Sequence, residues 1–215
     1  MEKIELKHCM DLDANDPLRE LRSEFLLAET GSIHFDANSM GAMPKTVPEK
    51  VAWMLNEGWR NLGRQGWSKL DWIDQPKKLG NGIAHLLGAQ PEDVVVCDNT
   101  SINLHKLISY AWGIKNSGNT LLTESNHFPT DVYIAEGWIK SLKNYGVDAE
   151  IRFADSHGEL LDCLDENVAV VNVSYVDYRT SLRWDMGRLM QKAQEVGALV
   201  VWDLSHAAGA VEIDL

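Results

Sequence analysis

The chain has 215 residues, of which 45% are hydrophobic, and its formal net charge is −12. This composition builds a sizeable core and excludes intrinsic disorder, and the length suits one large domain with a short arm. The acidic balance excludes nucleic acid as a partner, because nucleic-acid binding needs a basic surface. The sequence shows no basic-then-apolar leader and no apolar run of membrane-spanning length, so we expect a cytoplasmic protein that binds no membrane.

The cysteines and histidines of the chain match neither a disulfide framework nor a metal site. Cys9, Cys97 and Cys163 are odd in number and far apart, which predicts buried thiols. The seven histidines do not pair with other ligand residues at metal-binding spacing. We therefore expect no metal.

The first 75 residues carry mixed patterns that predict short helices, one strand and loops. Residues 16–18 are typical of a helix start, and residues 33–35 are a strand candidate. Thr46 and Glu49 match a capping box, which predicts a helix that continues to about Glu57.

Tryptophan is concentrated in the stretch that follows. Four of the eight tryptophans lie between Trp53 and Trp72, and the pattern of residues 59–74 is irregular. We interpret residues 59–74 as an ordered loop that contributes to a site or an interface. An aromatic cluster that packs an N-terminal arm is an equally open interpretation.

Strands and helices alternate along the rest of the chain. The pattern predicts helices over 75–87, 102–112, 130–145, 160–164 and 186–196, and strands over 94–97, 120–123, 149–153, 168–173 and 199–202. Such alternation is typical of a mostly parallel sheet that helices cover on both faces. We therefore predict a three-layer α/β/α domain over residues 76–215. Residues 1–75 are expected to form an N-terminal arm and helices that contribute to a small domain or a dimer interface.

Polar residues follow several of the predicted strands, at the edge where open α/β sheets hold ligands. Asp203 ends the apolar run 199–202, and residues 98–101 follow the strand predicted over 94–97. A buried carboxylate needs a cationic or hydrogen-bonding partner, and no lysine or arginine lies close to Asp203 in sequence. The partner is therefore a distant residue or a ligand.

One class of ligand matches the residue types at these strand ends. Thr100 and Ser101, at a predicted helix start, suit a phosphate, although either could simply cap the helix. Phe128 suits stacking on a flat ring, and Thr130 could be a helix cap. Asp203 suits a ring nitrogen that must stay protonated. Pyridoxal phosphate has all three features.

Two other interpretations of the chemistry are weaker. Residues 80–85 begin like a dinucleotide fingerprint but lack its third glycine and do not follow a strand. Asp203, Ser205 and His206 are the residue types of a hydrolase triad, but they lie too close together in sequence. The G-x-S-x-G elbow of such enzymes is also missing.

Five segments together resemble the kynureninases, a family of fold-type-I pyridoxal-phosphate enzymes. The segments are 36–41 with Pro44, 96–104, 128–131, 178–180 and 202–210, and they follow the order of the family. The resemblance implies hydrolysis of L-kynurenine, or its 3-hydroxy form, to an anthranilate and L-alanine, in tryptophan catabolism or NAD biosynthesis. It also implies a homodimer with its sites at the subunit interface.

The same resemblance implies roles for individual residues. Cofactor binding is implied for Thr100, Ser101, Phe128, Pro129, Thr130, Asp131, Ser174, Asp203 and His206. Asp203 is expected to pair with the pyridinium nitrogen and Phe128 to lie on the ring. Asn38, Ser39 and Trp67 are expected to approach the substrate.

The chain departs from the family pattern in two ways. Ser181 stands where family members often have glycine after the Tyr-x-Thr motif. The Schiff-base lysine of the family follows the Asp-x-x-His stretch in a Tyr-Lys pair, and none of the twelve lysines of this chain has a matching context. We therefore expect the chain to be a truncated N-terminal half of a kynureninase, inactive alone and without a catalytic residue of its own.

Two alternatives remain open on the sequence. One is a desulfurase-like or aminotransferase-like enzyme of the same fold, although such relatives more often carry Gln at the position of His206. The other is a non-catalytic remnant that binds a phosphorylated ligand or dimerises with a full-length partner.

Overall fold

The computed structural model of the chain describes residues 4–27, 31, 33–115 and 118–215. The chain divides into two compact units, Met1–Ile73 and Asp74–Leu215.

The first unit is built from short elements. They are α1 (Leu6–Asn15), a 3-10 helix (Arg19–Glu24), β1 (Phe25–Leu26), β2 (Met43–Pro44), α2 (Val47–Trp53), a π-helix (Met54–Leu62), a second 3-10 helix (Gly63–Gln65) and α3 (Gly66–Lys69). β1 and β2 pair in antiparallel fashion. The ring of Trp72 packs against Gly58 and Gly66, where an added Cβ would come within 2.8 and 2.6 Å of ring atoms. These glycines therefore let the ring approach the backbone.

Several sequence predictions for the first unit are wrong. Helix α1 was not predicted, and the helix expected after residues 16–18 is only a short 3-10 helix. Residues 33–35 are not in a strand. Thr46 makes no side-chain cap, because its own backbone is already helical, with φ −78° and ψ −14°. Residues 59–74, predicted as a loop, are largely helical.

The second unit alternates helices and strands. Its helices are α4 (Gln75–Ala84), α5 (Thr100–Ile114), α6 (Pro129–Asn144), α7 (His157–Asp162) and α8 (Met186–Val196); its strands are β3 (Thr120–Glu124), β4 (Glu150–Ala154), β5 (Val168–Ser174) and β6 (Leu199–Asp203). The four strands are parallel, in the order β4-β3-β5-β6. Helices α5 and α6 cover one face, and α7 and α8 cover the other. The predicted three-layer α/β/α architecture is confirmed.

Strand β5 forms the centre of the core. Every one of its residues is buried, because it has a strand on each side and helices above and below. Its side chains alternate between the faces. Val171 and Val173 pack in the cluster with α7 and α8, whereas Val170 packs in the cluster with α5 and α6.

The strand predicted over residues 94–97 is not part of the sheet. This segment lies against α4, where the backbone N–H of Val96 donates to the carbonyl of Pro76 at 3.0 Å. The approach is close, since a Cβ added to Gly80 would lie 1.9 Å from the carbonyl oxygen of Val94. In the part of the chain that the structure describes, this apolar run packs on a helix instead of pairing with a strand.

The strand order places a crevice at the carboxyl edge of the sheet. From β3 the chain proceeds to β4 on one side, and from β5 it proceeds to β6 on the other. The carboxyl ends of β3 and β5 are therefore neighbours at the point where the winding reverses. Open α/β sheets bind ligands at such a switch point.

The described residues also bear on thiols, metals and membranes. All three cysteines are free, but Cys9 and Cys97 are exposed, so the prediction of buried thiols is wrong for both; each lies outside the packed layers. Within the described ranges, no group of three or more acidic, histidine or cysteine side chains is arranged for a metal ion. None of the helices in those ranges is long and apolar enough to cross a bilayer.

Candidate functional site

A cavity of about 520 Å³ lies beside the carboxyl end of β6. Its polar lining includes Thr100 from the start of α5, Asp131 from the first turn of α6, and Asp203 from the end of β6. Apolar side chains from α4, α5 and β6 complete the lining. The cavity therefore combines an apolar wall with a helix N-terminus and two carboxylates.

Asp203 is oriented by serine side chains. Its Oδ1 accepts hydrogen bonds from the backbone N–H of Ser205 at 2.8 Å and from the Ser205 hydroxyl at 2.5 Å. Its Oδ2 lies 3.3 Å from the hydroxyl of Ser174, whose one proton is shared with the backbone carbonyl of Val176 at 2.9 Å. No lysine or arginine among the described residues forms an ion pair with Asp203. Its negative charge is thus fixed in direction and is not neutralised by a basic side chain.

Asp131 is the second carboxylate, and it is only 2% exposed. Its Oδ2 has no hydrogen-bond partner, and Nε2 of His127 lies 3.7 Å away. Burial raises the pKa of Asp131 to about 6, and the charge of Asp203 adds to the rise. Two close carboxylates of which one is buried favour a cationic group between or beside them.

His127 lies behind Asp131 as a neutral ring. Burial lowers its pKa to about 4. Its Nδ1 accepts a hydrogen bond from the backbone N–H of Phe128 at 2.7 Å. Because Nδ1 is an acceptor, the ring proton is on Nε2, which faces Asp131.

The first turn of α5 provides two hydroxyls close to a helix N-terminus. Asn99 caps the helix, with its side-chain oxygen accepting from the backbone N–H of Ile102 at 3.0 Å. The alternative that Thr100 or Ser101 is the cap is therefore wrong, because Asn99 has the extended backbone that a cap requires. Their hydroxyls remain available to an anion at the positive end of the helix.

Aromatic rings connect the segments that follow β3, β5 and β6. Phe128, which is 40% exposed, contacts Tyr178 edge-on, with ring centroids 5.1 Å apart. Tyr178 lies 6.3 Å from the ring of His206, and the guanidinium of Arg179 lies 5.4 Å from the Tyr178 centroid. Phe128 also occupies the N-cap position of α6, so Thr130 is not the cap of that helix.

The structure brings most of the predicted cofactor residues to one edge of the sheet. Thr100, Asp131 and Asp203 line the cavity, and Ser174 contacts Asp203. The remaining predicted residues lie on the same segments: Ser101 in the first turn of α5, Pro129 and Thr130 in the first turn of α6, and Phe128 and His206 beside Tyr178. Their roles toward a cofactor stay predictions.

The predicted substrate residues lie in the first unit. Asn38 and Ser39 are exposed in a turn. Trp67 lines a cavity of about 370 Å³ together with Trp59, Trp72 and Arg64. Residues 59–74 were interpreted as contributing to a site or an interface, and the role of Trp67 toward a substrate stays a prediction.

Two residues of the site were missed at the sequence level. His127 was not assigned a role, although it directly precedes the Phe-Pro-Thr-Asp segment. Asn172 on β5 is fully buried, and neither its amide nitrogen nor its amide oxygen has a hydrogen-bond partner. A polar residue inside an otherwise apolar strand was the signal that could have identified Asn172.

Comparison with known proteins identifies sequence relatives. No protein-family model matches the chain. The chain is 40% identical to the kynureninase of Pseudomonas fluorescens over 211 residues, which cover 96% of this chain and 50% of the relative. It is 36% identical to the kynureninase of Burkholderia mallei strain SAVP1 over 213 residues, covering 97% and 50%. The chain thus spans about half the length of the curated relatives it matches.

Solved structures identify the fold. The cysteine desulfurase CsdA from Escherichia coli matches with a TM-score of 0.70 at 14% identity, covering 91% of this chain and 50% of that one. A mutant of C-DES with glycine covalently linked to its pyridoxal-phosphate cofactor matches with a TM-score of 0.67 at 16% identity, covering 86% and 50%. The predicted fold class, that of fold-type-I pyridoxal-phosphate enzymes, is thereby confirmed. The chain is therefore a relative of the kynureninases along nearly all of its own length, as its motifs predict.

Proposed function

We propose that the second unit binds pyridoxal phosphate and that the protein to which the chain belongs hydrolyses L-kynurenine, or its 3-hydroxy form, to an anthranilate and L-alanine. The observation that carries the cofactor assignment is that Thr100, Asp131 and Asp203 line one cavity. The 40% identity to a kynureninase supports the substrate class. We propose a homodimer that acts in tryptophan catabolism or NAD biosynthesis, which the same resemblance implies.

The residues present fit this cofactor. The buried Asp131 has an oxygen without a hydrogen-bond partner, and Asp203 has no basic partner among the described residues. The cap supplied by Asn99 leaves the hydroxyls of Thr100 and Ser101 for a phosphate. When bound, pyridoxal phosphate supplies an electron sink for cleavage of a carbon–carbon bond.

Different side chains of the chain bind different parts of the cofactor. Asp203, which Ser174 and Ser205 orient, accepts a hydrogen bond from a protonated ring nitrogen and keeps its positive charge in place. Asp131 adds a second negative charge at the same end of the cavity. Phe128 provides a flat apolar surface for the ring, and the N-terminus of α5 binds the phosphate.

Enzyme assays distinguish this function from that of a desulfurase. The protein that carries the chain is supplied with pyridoxal phosphate and incubated with L-kynurenine, with 3-hydroxy-L-kynurenine or with L-cysteine. We expect an anthranilate and alanine from the first two and no alanine from cysteine. Alanine from cysteine alone would overturn the proposal in favour of a desulfurase, and turnover of none of the three would favour the non-catalytic alternative.

A second assay tests the chain by itself. None of its twelve lysines has the sequence context of the Schiff-base lysine of the family. We therefore expect borohydride treatment after addition of pyridoxal phosphate to leave no adduct at one defined lysine, and no turnover of L-kynurenine by the 215 residues alone. Mass spectrometry of a tryptic digest locates any adduct. One stoichiometric adduct at a single lysine would contradict this expectation.

A further inference from the structure

We infer that His127 is a positioning residue for Asp131: its ring Nε2–H donates toward Oδ2 and holds the carboxylate toward the cavity. The significance of this contact for the cofactor rests on the proposed function. The contact itself does not, because all its members belong to this chain.

The geometry fixes the direction of the ring. His127 follows β3, and its side chain is completely buried. The bond from the backbone N–H of Phe128 to Nδ1 leaves only Nε2 to carry the proton. Nε2 lies 3.7 Å from Oδ2 of Asp131, whose side chain is 3% exposed. A side-chain movement of about 1 Å brings this pair to hydrogen-bond length.

Two acceptors lie within reach of Nε2: Oδ2 of Asp131 at 3.7 Å and the side chain of Asn172, which is close enough to raise the pKa of His127. Nε2 of His127, Oδ2 of Asp131 and both polar side-chain atoms of Asn172 are buried without hydrogen bonds. Asn172, on β5, lies beside the ring of His127. His127, Asp131 and Asn172 therefore form one buried polar cluster. Buried donors and acceptors are nearly always paired in folded proteins, and a carboxylate is a stronger acceptor than an amide oxygen, which favours Asp131 over Asn172 as the acceptor for Nε2–H.

The charged groups described near the ring are three carboxylates and the guanidinium of Arg179, which pairs with Asp177 at 3.8 Å and donates to the backbone carbonyl of Asn126 at 3.4 Å. Asp131 faces it from α6, Asp203 from β6 and Asp177 from the loop after β5. These charges favour a protonated ring, but burial outweighs them and keeps the histidine neutral, with a pKa of about 4. A neutral donor holds the carboxylate without cancelling its charge, which leaves that charge for a cationic ligand.

Two isosteric variants separate the functions of the ring nitrogens. His127→Asn keeps an acceptor near Nδ1 but removes the donor that faces Asp131, whereas His127→Gln keeps a donor near Nε2. The carboxyl of Asp131 is titrated by carbon NMR in the ligand-free chain, with Asp131→Asn used for assignment. We expect Asp131 to titrate about one pH unit higher in His127→Asn than in the unsubstituted chain, and unchanged within about 0.3 unit in His127→Gln. Equal titration in all three would overturn the inference.

Nitrogen NMR of the unsubstituted chain provides a test that needs no variant. We expect the His127 ring to be neutral at pH 7, protonated on Nε2, and free of titration down to about pH 5. A ring protonated on Nδ1, or one that titrates near pH 6.5, would overturn the inference even if both variants failed to fold.

Cofactor affinity connects the contact to the proposed function. Pyridoxamine 5′-phosphate is a suitable probe, because it has no aldehyde to react with lysines. We expect its affinity to fall about 3- to 10-fold in His127→Asn and less than twofold in His127→Gln. Absence of binding to the unsubstituted chain would refute the proposed function and leave the NMR result standing. Equal affinity in all three proteins would refute the positioning of Asp131 for the cofactor.

Discussion

The two carboxylates of the site differ in how the protein holds them. Asp203 accepts two hydrogen bonds from Ser205 and shares the hydroxyl proton of Ser174, so its direction is set by its own neighbours. Asp131 is buried with an unpartnered oxygen, and its pKa is raised to about 6. One acid is therefore preorganised, and the other gains most from a cationic ligand.

Substitution of Asp131 is expected to change how stability depends on pH. The pKa of Asp131 is raised by folding, so the native state takes up its proton between pH 6 and 4, before the unfolded state does. This contribution is present at low pH and is lost as the pH rises through 6. His127 has a lowered pKa, so its contribution has the opposite sign: it is present above pH 6.5 and is lost as the pH falls toward 4.

The two contributions largely offset each other in the unsubstituted chain. In Asp131→Asn only the pH-dependent contribution of His127 to stability remains. When the pH is lowered from 7 to 4, we expect the free energy of unfolding of this variant to fall by about 2 kcal/mol more than that of the unsubstituted chain. Urea denaturation followed by circular dichroism at the two pH values measures this difference. Parallel pH profiles for the two proteins would show that Asp131 does not titrate as described.

The sequence predicted the residues that follow strands but not the contacts between them. Asp203 was identified because a polar residue after an apolar run marks the carboxyl edge of a sheet. Thr100 was identified by the same rule from residues 94–97, which are not in the sheet, yet it lines the cavity from the start of α5. The contact of Tyr178 with Phe128 depends on strand order, which a single sequence does not encode locally. The approach of His127 to Asp131, four residues apart, depends on the backbone between β3 and the first turn of α6. Asn99, and not Thr100, is the cap of α5 because the backbone of Asn99 is extended, and the sequence alone does not show this conformation.

At the level of elements, the turn after β5 explains one departure from the family pattern. Ser181 has φ +59°, in the left-handed region where glycine is favoured. The turn is held by Asp177, whose Oδ1 accepts from the backbone N–H groups of Arg179 and Thr180. A glycine, which the family pattern predicts here, would adopt this backbone without strain, whereas the serine adopts it with strain.

Ser181→Gly is accordingly expected to stabilise the chain. Relief of the left-handed strain, which is about 1–2 kcal/mol for an L-residue, exceeds the entropy that glycine loses on folding, so a net gain of about 0.5–1 kcal/mol is expected. Thermal unfolding measures it as a higher Tm. Ser181→Ala is the matched control, since it removes the hydroxyl but keeps the strain, and its Tm should not rise. Equal effects of the two substitutions would show that the backbone conformation is not the cause.

Two glycines in α4 provide a second matched pair. A Cβ on Gly80 would lie 1.9 Å from the carbonyl oxygen of Val94, whereas one on Gly82 would meet no atom within 4 Å. We expect Gly80→Ala to destabilise the unit by at least about 1–3 kcal/mol, because the segment 94–97 must move. Gly82→Ala should stabilise the helix by about 0.5–1 kcal/mol. Denaturant titration of both variants checks the opposite signs; a gain in stability for Gly80→Ala would contradict the packing described.

The sequence predicts a helix or strand correctly where its buried residues recur at a regular spacing. The prediction fails where they do not. The core strands and helices from residue 100 to 203 agree with the structure, and α8 was predicted with its observed bounds, Met186–Val196. The segment 94–97 has a strand-like composition, but its burial against α4 is a tertiary effect. Helix α1 has no buried residue, so it did not need an apolar stripe from which it could have been predicted.

At the scale of the whole molecule, the chain consists of a well-packed α/β unit and a unit of short elements. The core clusters of the second unit lie on both faces of the sheet around β5, which leaves the carboxyl edge for the site. The layer arrangement was predictable because strand–helix alternation admits few architectures. The strand order β4-β3-β5-β6 was not predictable, because the sequence pattern does not say which strands are adjacent in the sheet. The crevice that this order creates was not predictable for the same reason.

The affinity of the chain for pyridoxamine 5′-phosphate tests most directly that this edge holds the cofactor. Calorimetric titration compares the unsubstituted chain with Asp203→Asn and with Asp162→Asn, a control at an exposed position of α7. We expect at least about tenfold weaker binding in Asp203→Asn, the size of a lost charge-assisted hydrogen bond, and unchanged binding in Asp162→Asn. Pyridoxamine without its phosphate should also bind at least about tenfold more weakly. Equal affinity of Asp203→Asn and the unsubstituted chain would contradict the assignment of the site.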